Sequence, residues 1–330
     1  MEPVDLVYTW CDSADEKWNA KRRMAAEAVG LPVDAEANLA CRYAANDELR
    51  FSLRSAELNV PWVRRVFLVI DDDISPPRWL RLDNPRLRIV RLGEIVPSPA
   101  KPCFCSDSIE HRLAFIPDLS ERFMYSNDDC MFGRPLAPSF FFARDGFPRF
   151  RFGSVRKEPE GGGRTYWRNL VNSERLVRGQ CPDAGKVLGE ALSRNPHHCV
   201  DAYRKSDVLE TYARYRKEIE PMFDYPFRKD GNVQRIVYAY DALARGHGHF
   251  RLARFRIQDG RPWYKRLFRP GYADSLSFVR EKWKTGPAQL RKWKPGVFCF
   301  NGTLGIIDVD REWVRGVYEE LFPGKSSFEK

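Results

Sequence analysis

Two adjacent aspartates, Asp128 and Asp129, stand in the stretch YSNDDCMFGRP, directly after residues typical of a buried strand. Neighbouring carboxylates repel each other, and burial increases that repulsion. Such a pair indicates either a solvated turn or a divalent cation held against a phosphate. On the second interpretation Asp128 and Asp129 are candidate ligands of Mg²⁺ or Mn²⁺, and one of them is also a candidate base that accepts a proton.

The segments around this pair alternate between strand and helix patterns. Predicted strands lie at 4–10, 63–73, 87–92 and 121–129, and predicted helices lie at 16–29, from Asn46 or Asp47 to Pro61, after Ser75 and at 106–117. This alternation favours an α/β fold with a mostly parallel sheet, in which ligands bind beyond the carboxyl ends of the strands. We expect the carboxylates that follow these strands to gather there, which favours the metal-and-phosphate interpretation.

The 330 residues are consistent with one catalytic domain. Its expected parts are a nucleotide-sugar-binding α/β half at 1–150, a helical acceptor and phosphate half at 166–250, a basic aromatic segment at 251–295 and a return to the core at 296–330.

The sequence has no apolar run of membrane-spanning length and no visible signal peptide, so we expect a cytoplasmic protein whose eight cysteines are reduced. A zinc site formed by Cys181, Cys199 and His197-His198 is an alternative whose spacing matches no common pattern.

The basic excess of the chain is confined to one segment. Residues 251–300 hold 13 Lys or Arg and 3 Asp or Glu. The difference is +10, which equals the net charge of the whole chain. Aromatic residues alternate with these cations, as in RPWYKRLFRP. The segment indicates an anionic partner, such as a glycan or an anionic membrane surface, or else a solvated insertion. No nucleic-acid-binding motif accompanies it, so we expect no nucleic-acid partner.

Further candidate groups follow from residue type and spacing. Arg50 and Arg54 lie one helical turn apart and could clamp a diphosphate, or else form surface ion pairs with Asp47 and Glu57. His197 could act as a general acid or base, or else belong to a partly exposed histidine pair without chemistry.

Four stretches of the chain resemble the signatures of one family. They are VDLVYTWCDSADE, the pair NDELRFSLRSAELNVPWVRRVFLVIDD and IEHRLAFIPDLSERFMYSNDDCMFGRPL, the pair PHHCVDAYRKS and PFRKDGNVQRIVYAYDALARG, and FCFNG. This family is the Stealth family, which includes bacterial capsular-polysaccharide phosphotransferases and the catalytic chain of the GlcNAc-1-phosphotransferase of lysosomal enzymes. The resemblance implies a fold similar to the GT-A nucleotide-sugar transferases and a divalent cation.

The resemblance also implies a reaction. A hexose-1-phosphate, with an N-acetylhexosamine-1-phosphate as the expected group, passes from a UDP-sugar to a saccharide hydroxyl, and UMP leaves. The catalytic residues implied in this way are Asp128, Asp129, His197 and Arg228. The donor-binding residues are Asp5, Trp10, Asp12, Asp15, Asn46, Arg50, Arg54, Asn127 and Asn301. For Asp5, which lies in an apolar strand, pairing with a buried arginine is the alternative to the nucleotide pocket.

The sequence departs from the family pattern at its fourth signature, where Gly302 follows Asn301 in place of the usual aspartate. This departure suggests one alternative, a weakly active carbohydrate-binding assembly subunit. A second alternative, which does not depend on Gly302, is an ordinary glycosyltransferase, which releases UDP.

Overall fold

A computed structural model describes the chain at residues 2–12, 14–33, 35–39, 42–96, 102–157, 164–182, 185–197, 200–253, 273–278, 280–300 and 308–330. The strands are β1 (Val4–Thr9), β2 (Val66–Ile70), β3 (Leu87–Arg91), β4 (Arg122–Asn127), β5 (Cys130–Phe132), β6 (Arg149–Val155), β7 (Arg194–Pro196), β8 (Asp201–Arg204), β9 (His249–Leu252), β10 (Ser275–Phe278) and β11 (Val297–Phe300). The α-helices are α1 (Glu16–Ala28), α2 (Glu48–Asn59), α3 (Leu92–Ile95), α4 (Ser106–Glu110), α5 (Thr165–Gln180), α6 (Lys186–Leu192), α7 (Lys205–Arg214), α8 (Arg216–Ile219), α9 (Ile236–Ala244), α10 (Gly286–Trp293) and α11 (Asp308–Leu321).

The main sheet has five strands in the order β3-β2-β1-β4-β8. The pairs β3-β2, β2-β1 and β1-β4 are parallel, and β8 is antiparallel to β4. This arrangement confirms the predicted α/β class and the mostly parallel sheet. The register pairs Thr9 with Asn127 and with Val69, so the carboxyl ends of β1, β2 and β4 lie side by side.

Apolar side chains cover both faces of this sheet because β1 and β2 are nearly continuous runs of buried residues. On one face Val7, Phe67 and Phe123 pack with residues of α7 and α9. On the other face Leu6 and Leu68 pack with residues of α1 and α2. The site therefore rests on a sheet that is buried on both sides.

Helix α2 is joined to the short strand β5 through polar side chains. Ser52 Oγ donates to the Cys130 carbonyl at 2.6 Å, and the Phe132 amide donates to Ser55 Oγ at 2.9 Å. Asn59 Nδ2 donates to the Phe132 carbonyl at 2.6 Å. On its other side β5 pairs with β11 in the three-stranded sheet β10-β11-β5. Helix and sheet together fix the chain just after Asp129.

Two predicted helices differ in the structure. The segment after Ser75 is not helical, because the Arg91 guanidinium donates to the carbonyls of Asp71 and Ile74 and holds that connection as a loop. The helix predicted at 106–117 stops at Glu110. There the side chain of His111 turns into the core, where its ring nitrogens lie 2.8 Å from the Tyr238 hydroxyl and the Val233 carbonyl.

Candidate active site

A cavity of about 630 Å³ opens at the carboxyl ends of β1, β2 and β4. This is the edge of the sheet at which ligands of parallel α/β folds bind. Its charged lining residues are Glu48, Asp71, Glu110, Asp128, Asp129, Arg42, Arg228, Arg235 and Arg311. Its aromatic lining residues are Trp10, Trp18, Tyr43, Phe104, Tyr125, Tyr166, Trp283 and Phe300.

Three carboxylates, those of Asp128, Asp129 and Glu48, form an acidic group in this lining. Burial, and then the charges of Asp129 and Glu48, raise the pKa of Asp128 well above its ordinary range. Burial, together with the charges of Asp129 and Asp47, raises the pKa of Glu48 to about 7. Oxygen ligands that repel one another in this way suit a hard divalent cation, because its charge would remove the repulsion. These residues therefore fit Mg²⁺ or Mn²⁺ by their donor chemistry.

Arginines form a basic group elsewhere in the lining. Arg228 Nη2 donates to Ser106 Oγ and to Asp107 Oδ1, both at 2.8 Å, while its buried Nε has no hydrogen-bond partner in the described part of the chain. Burial, and then the charge of Arg228, lower the pKa of Arg42. Two guanidinium groups that repel each other in a cavity attract an anion, and their geometry matches phosphate oxygens.

A hydrogen-bonded network lies beneath these groups. Arg235 pairs with Glu110 at 3.0 Å and with Asp201 at 2.8 Å. The Tyr125 hydroxyl lies 2.9 Å from Thr9 Oγ1 and donates to Glu110 at 3.2 Å. Since β1 and β4 carry Thr9 and Tyr125, this network ties the floor of the cavity to the sheet.

Aromatic side chains form a wall of the cavity near the end of β1. The ring of Trp18 lies 5.6 Å from that of Tyr43 and 5.4 Å from that of Phe104, and the second contact is edge-to-face. Trp10 also lines the cavity. Flat rings beside cationic side chains can hold the base or sugar of a nucleotide sugar.

Six of the predicted site residues line this cavity: Trp10, Asn46, Asn127, Asp128, Asp129 and Arg228. The side chain of Asn46 is already engaged with helix α11, because it donates to the Arg311 carbonyl at 3.0 Å and accepts from Arg315 at 3.0 Å. Its contribution to the site is to hold α11 beside the cavity.

Asp12 and Asp15 shape the connection between β1 and α1. Asp12 Oδ1 accepts from the Ala14 amide at 2.9 Å, and Asp15 Oδ1 accepts from the Trp18 amide at 3.0 Å as the N-cap of α1. Asp15 thus positions the start of α1 and Trp18, Asp12 shapes the turn before it, and neither carboxylate lies in the cavity lining.

The structure does not place Asp5, a predicted residue of the nucleotide pocket, in the lining of the cavity. Asp5 is fully buried at the amino-terminal half of β1, and Arg64 donates to both of its carboxylate oxygens at 2.8 and 2.6 Å. The Ser120 amide adds a third hydrogen bond at 2.7 Å. The alternative of a structural pair with arginine is the one that the structure shows.

The structure does not bring Arg50 and Arg54, the predicted diphosphate clamp, into the lining of the cavity. Both side chains point to Glu329, at distances of 2.7 Å, and neither lines the cavity. Arg54 also donates to the Phe322 carbonyl at 2.9 Å. The two arginines hold the carboxyl-terminal residues against α2, and Glu329 rather than Asp47 or Glu57 is their partner.

His197 does not reach the cavity either. It is buried, and its ring nitrogens lie 3.1 and 3.2 Å from Ser275 Oγ. It follows β7, in the sheet β7-β6-β9, and it is not among the residues that line the cavity.

Several predictions fall outside the described residues. They concern Asn301 and Gly302, the zinc alternative with His198 and Cys199, and the stretch 254–272 of the basic segment. Within the described part of that segment Trp283 is buried, donates to the Phe278 carbonyl and lines the cavity. The cations Lys284, Arg291, Lys292 and Lys294 are exposed.

Sequence reasoning missed Glu48, Arg42, Arg235 and Glu110. Glu48 resembles an ordinary acidic residue in the first turn of a helix, and Arg42 lies among irregular residues without a pattern. The one available signal was the acidic NDE run at 46–48, which repeats the adjacent-carboxylate pattern of Asp128 and Asp129.

Among the described residues, no helix has the length and apolar character needed to cross a membrane.

Comparison with known proteins identifies the family. Residues 42–150 match the profile of Stealth protein CR2, conserved region 2. Exopolysaccharide phosphotransferase SCO6023 of Streptomyces coelicolor is 34% identical over 99% of this chain and 52% of its own length. Exopolysaccharide phosphotransferase CpsY of Mycobacterium tuberculosis is 34% identical over 74% of this chain and 44% of its own. The chain thus spans about half the length of these relatives.

Among solved structures, the galactosyltransferase LgtC in complex with donor and acceptor sugar analogs is similar at a TM-score of 0.43 and 11% identity, over 98% of this chain and 96% of that chain. The matched region, residues 42–150, contains Glu48, Asp128 and Asp129, the acidic group of the cavity. The chain belongs to the Stealth family.

Proposed function

We propose that this protein transfers a sugar-1-phosphate from a UDP-sugar to a saccharide hydroxyl, forming a phosphodiester and releasing UMP. The main support for the proposal is a single cavity at the carboxyl ends of parallel strands, which is lined by a group of negatively charged carboxylates and by a separate group of positively charged arginines. The carboxylates of Asp128, Asp129 and Glu48 suit a cation, and the guanidinium groups of Arg42 and Arg228 suit phosphate oxygens. The curated relatives named exopolysaccharide phosphotransferases support this choice of reaction.

In this proposal Asp128 and Asp129 hold Mg²⁺ or Mn²⁺. A bound divalent cation would neutralise diphosphate charge and favour departure of the nucleotide. The carboxylates would hold the cation at the same end of the sheet as Arg42 and Arg228, the groups that can attract the donor phosphates. Positioning of this kind supplies much of the catalysis of phosphoryl transfer.

Arg228 and Arg42 orient the transferred phosphate. Arg228 is fixed by Ser106 and Asp107, so its guanidinium is preorganised before the donor arrives. The repulsion between the two arginines is relieved when an anion lies between them.

A carboxylate accepts the proton of the acceptor hydroxyl. The pKa of Glu48, raised to about 7 by burial and by neighbouring negative charge, lies in the range that suits a general base near neutral pH. Asp128 and Asp129 then remain available for the cation. The buried His197, which faces Ser275, is not assigned this role.

Analysis of the nucleotide product tests the proposal. Purified protein is incubated with Mg²⁺, a panel of UDP-sugars labelled in the β-phosphate, and saccharide acceptors. Transfer of label to the acceptor with release of UMP is the expected result. Release of UDP with an unlabelled product would show an ordinary glycosyltransferase, and no turnover with any donor would show a binding or assembly subunit. An Asp128→Asn variant serves as the inactive control.

A further inference from the structure

A cluster of thiols lies directly behind the acidic group of the cavity. Asp129 Oδ2 accepts a hydrogen bond from Cys299 Sγ at 3.1 Å, and Asp129 Oδ1 accepts one from Cys130 Sγ at 3.8 Å. The ligand atoms of these three residues all lie within 4.8 Å of one another. Both cysteines are reduced and nearly inaccessible to solvent. The carboxylate of Asp129 therefore faces two thiols on its inner side while the residue lines the cavity.

The fold brings these groups together through strand pairing. Cys130 begins β5 immediately after Asp129, and β11 pairs with β5 in antiparallel register so that Cys299 lies directly opposite Cys130. The hydrogen bonds from α2 to the backbone of β5 hold this register from the other side. The cluster is thus built on two strands of one sheet and not on a loop.

The separations of these atoms fit a tetrahedral ion. Zinc binds thiolate sulfur at about 2.3 Å and carboxylate oxygen at about 2.0–2.2 Å, so its ligand atoms lie roughly 3.4–3.8 Å apart. The sulfur-to-oxygen distances of 3.1 Å to Oδ2 and 3.8 Å to Oδ1 are close to that range, and small side-chain rotations would bring one oxygen to it. Two thiolates with one carboxylate also suit a thiophilic ion rather than Mg²⁺. Asp129 lines the cavity, so the cluster borders the space from which an ion would enter.

We propose that Asp129, Cys130 and Cys299 form a binding site for a thiophilic divalent cation of the Zn²⁺ class, and that its occupancy withdraws Asp129 from the cavity. Both thiols release their protons to solvent when the ion binds. Because Asp129 cannot serve both sites fully, Zn²⁺ opposes Mg²⁺ and inhibits the enzyme. The proposal of a binding site depends only on the geometry of these three residues, whereas the proposal of inhibition also rests on the proposed function.

Spectroscopy on the reduced full chain tests the binding. Co²⁺ is titrated into metal-free protein, and its sulfur-to-metal charge-transfer absorption is recorded before and after displacement by Zn²⁺. The expected result is one equivalent of tetrahedral Co²⁺ with thiolate absorption, displaced by one equivalent of Zn²⁺ in the presence of excess Mg²⁺. Octahedral Co²⁺ spectra without thiolate absorption would overturn the proposal, whatever the variants show.

Variants locate the site. Cys299→Ser and Cys130→Ser should each weaken Zn²⁺ binding by roughly a hundredfold and reduce the thiolate absorption, and Asp129→Asn should weaken binding while the absorption persists. Cys181→Ser, at the C-cap of α5 and outside the cluster, is the matched control and should bind as the wild type does. Loss of binding in Cys181→Ser with retention in Cys299→Ser would overturn the proposal. Far-ultraviolet circular dichroism confirms that each variant is folded.

A second measurement separates this inference from the proposed function. Micromolar Zn²⁺ should inhibit sugar-phosphate transfer by the wild type in the presence of Mg²⁺, and Cys299→Ser should need at least about tenfold more Zn²⁺ for the same inhibition. Equal Zn²⁺ sensitivity in both proteins would overturn the antagonism. If the protein transfers no sugar phosphate at all, the proposed function fails, while the cobalt titration still decides whether the site exists.

Discussion

Ser52 Oγ on helix α2 donates a 2.6 Å hydrogen bond to the carbonyl of Cys130, the residue that follows the Asp128-Asp129 pair. The same oxygen lies 2.8 Å from the Tyr8 hydroxyl of β1. Since the single hydroxyl proton of Ser52 goes to Cys130, the Tyr8 hydroxyl donates to Ser52. One buried serine therefore joins the helix, the central strand and the turn that carries the acidic pair.

Ser52→Ala should cost stability and activity together. The substitution leaves the Tyr8 hydroxyl and the Cys130 carbonyl without this partner in a buried place, and we expect a loss of about 1–3 kcal/mol in the free energy of unfolding. The turn at Asp128 should also become less ordered, which would lower kcat. Urea unfolding and the transfer assay measure the two effects. The exposed Ser75→Ala is the control, and a variant with wild-type stability would show that the bond contributes nothing.

The sequence predicted the central strands and the acidic pair because both are local signals. Val4–Thr9 and Val66–Ile70 are apolar, β-branched runs, and strand-helix alternation restricts such runs to a parallel sheet. The carboxyl ends of parallel strands then meet, so Asp128 and Asp129 are placed at the cavity by topology alone.

What the sequence could not predict depends on contacts between distant residues. Arg54 looked free on a helix surface because its partner, Glu329, lies 275 residues away. Asp5 of β1 pairs with Arg64, which precedes β2, and periodicity does not reveal such a contact. Glu48 became a site residue only because α2 packs on β5 and brings it near Asp129. Propensity and spacing describe an element and one of its faces, but not the partner that packs against that face.

Glu48 should make the stability of the metal-free protein depend on pH. Its pKa is raised from an ordinary value of 4.5 to about 7, so its contribution to stability is complete below about 4.5 and is lost as the pH rises through 7. Thermal unfolding in EDTA should therefore show a Tm that falls over this range. Glu48→Gln should flatten that part of the curve.

The exposed Glu27→Gln serves as the control and should keep the wild-type slope. A Glu48→Gln variant with an unchanged slope between pH 4.5 and 7 would place the pH dependence in other groups, among them Asp128.

Mg²⁺ or Mn²⁺ should stabilise the folded protein through Asp128 and Asp129. A ligand that binds only the native state at a hundredfold excess over its Kd adds about 2.7 kcal/mol to the free energy of unfolding. Asp128→Asn and Asp129→Asn should remove most of this stabilisation and lower kcat by at least about a hundredfold. Asp83→Asn, an exposed residue, is the control. A stabilisation equal in all four proteins would show that the cation binds elsewhere.

Arg54→Ala should weaken the fold without weakening nucleotide binding. Burial would raise the pKa of Glu329, but hydrogen bonds from Arg54, the Ser326 amide and Arg50 outweigh it and lower the pKa to about 2. Because the pKa is lowered, the stabilisation is present above 4.5 and lost as the pH falls through 2. Removing one partner of this buried pair should cost roughly 3–5 kcal/mol.

Two measurements distinguish this role from a diphosphate clamp. Denaturant unfolding at neutral pH should show the loss for both Arg54→Ala and Glu329→Gln. Calorimetric titration of UDP, carried out below the unfolding transition, should give wild-type affinity for Arg54→Ala, whereas Arg228→Ala should bind at least about tenfold more weakly. Weakened UDP binding by a folded Arg54→Ala variant would instead support a role of Arg54 in binding the diphosphate.

The exposed cations of the carboxyl-terminal basic segment should act on the acceptor rather than on the donor. Lys284, Arg291, Lys292 and Lys294 are exposed, and Trp283 of the same segment is buried and lines the cavity. A cationic surface raises the local concentration of an anionic glycan, and salt screens that attraction. Replacing all four cations by Gln should raise the acceptor KM several-fold at low salt and leave donor affinity unchanged.

Replacing Lys17, Arg23, Lys217 and Lys325 removes the same charge from other surfaces and should have little effect. Equal acceptor KM values in the two variants would mean that only net charge matters, and binding of the wild type alone to anionic vesicles would identify a membrane surface as the partner instead.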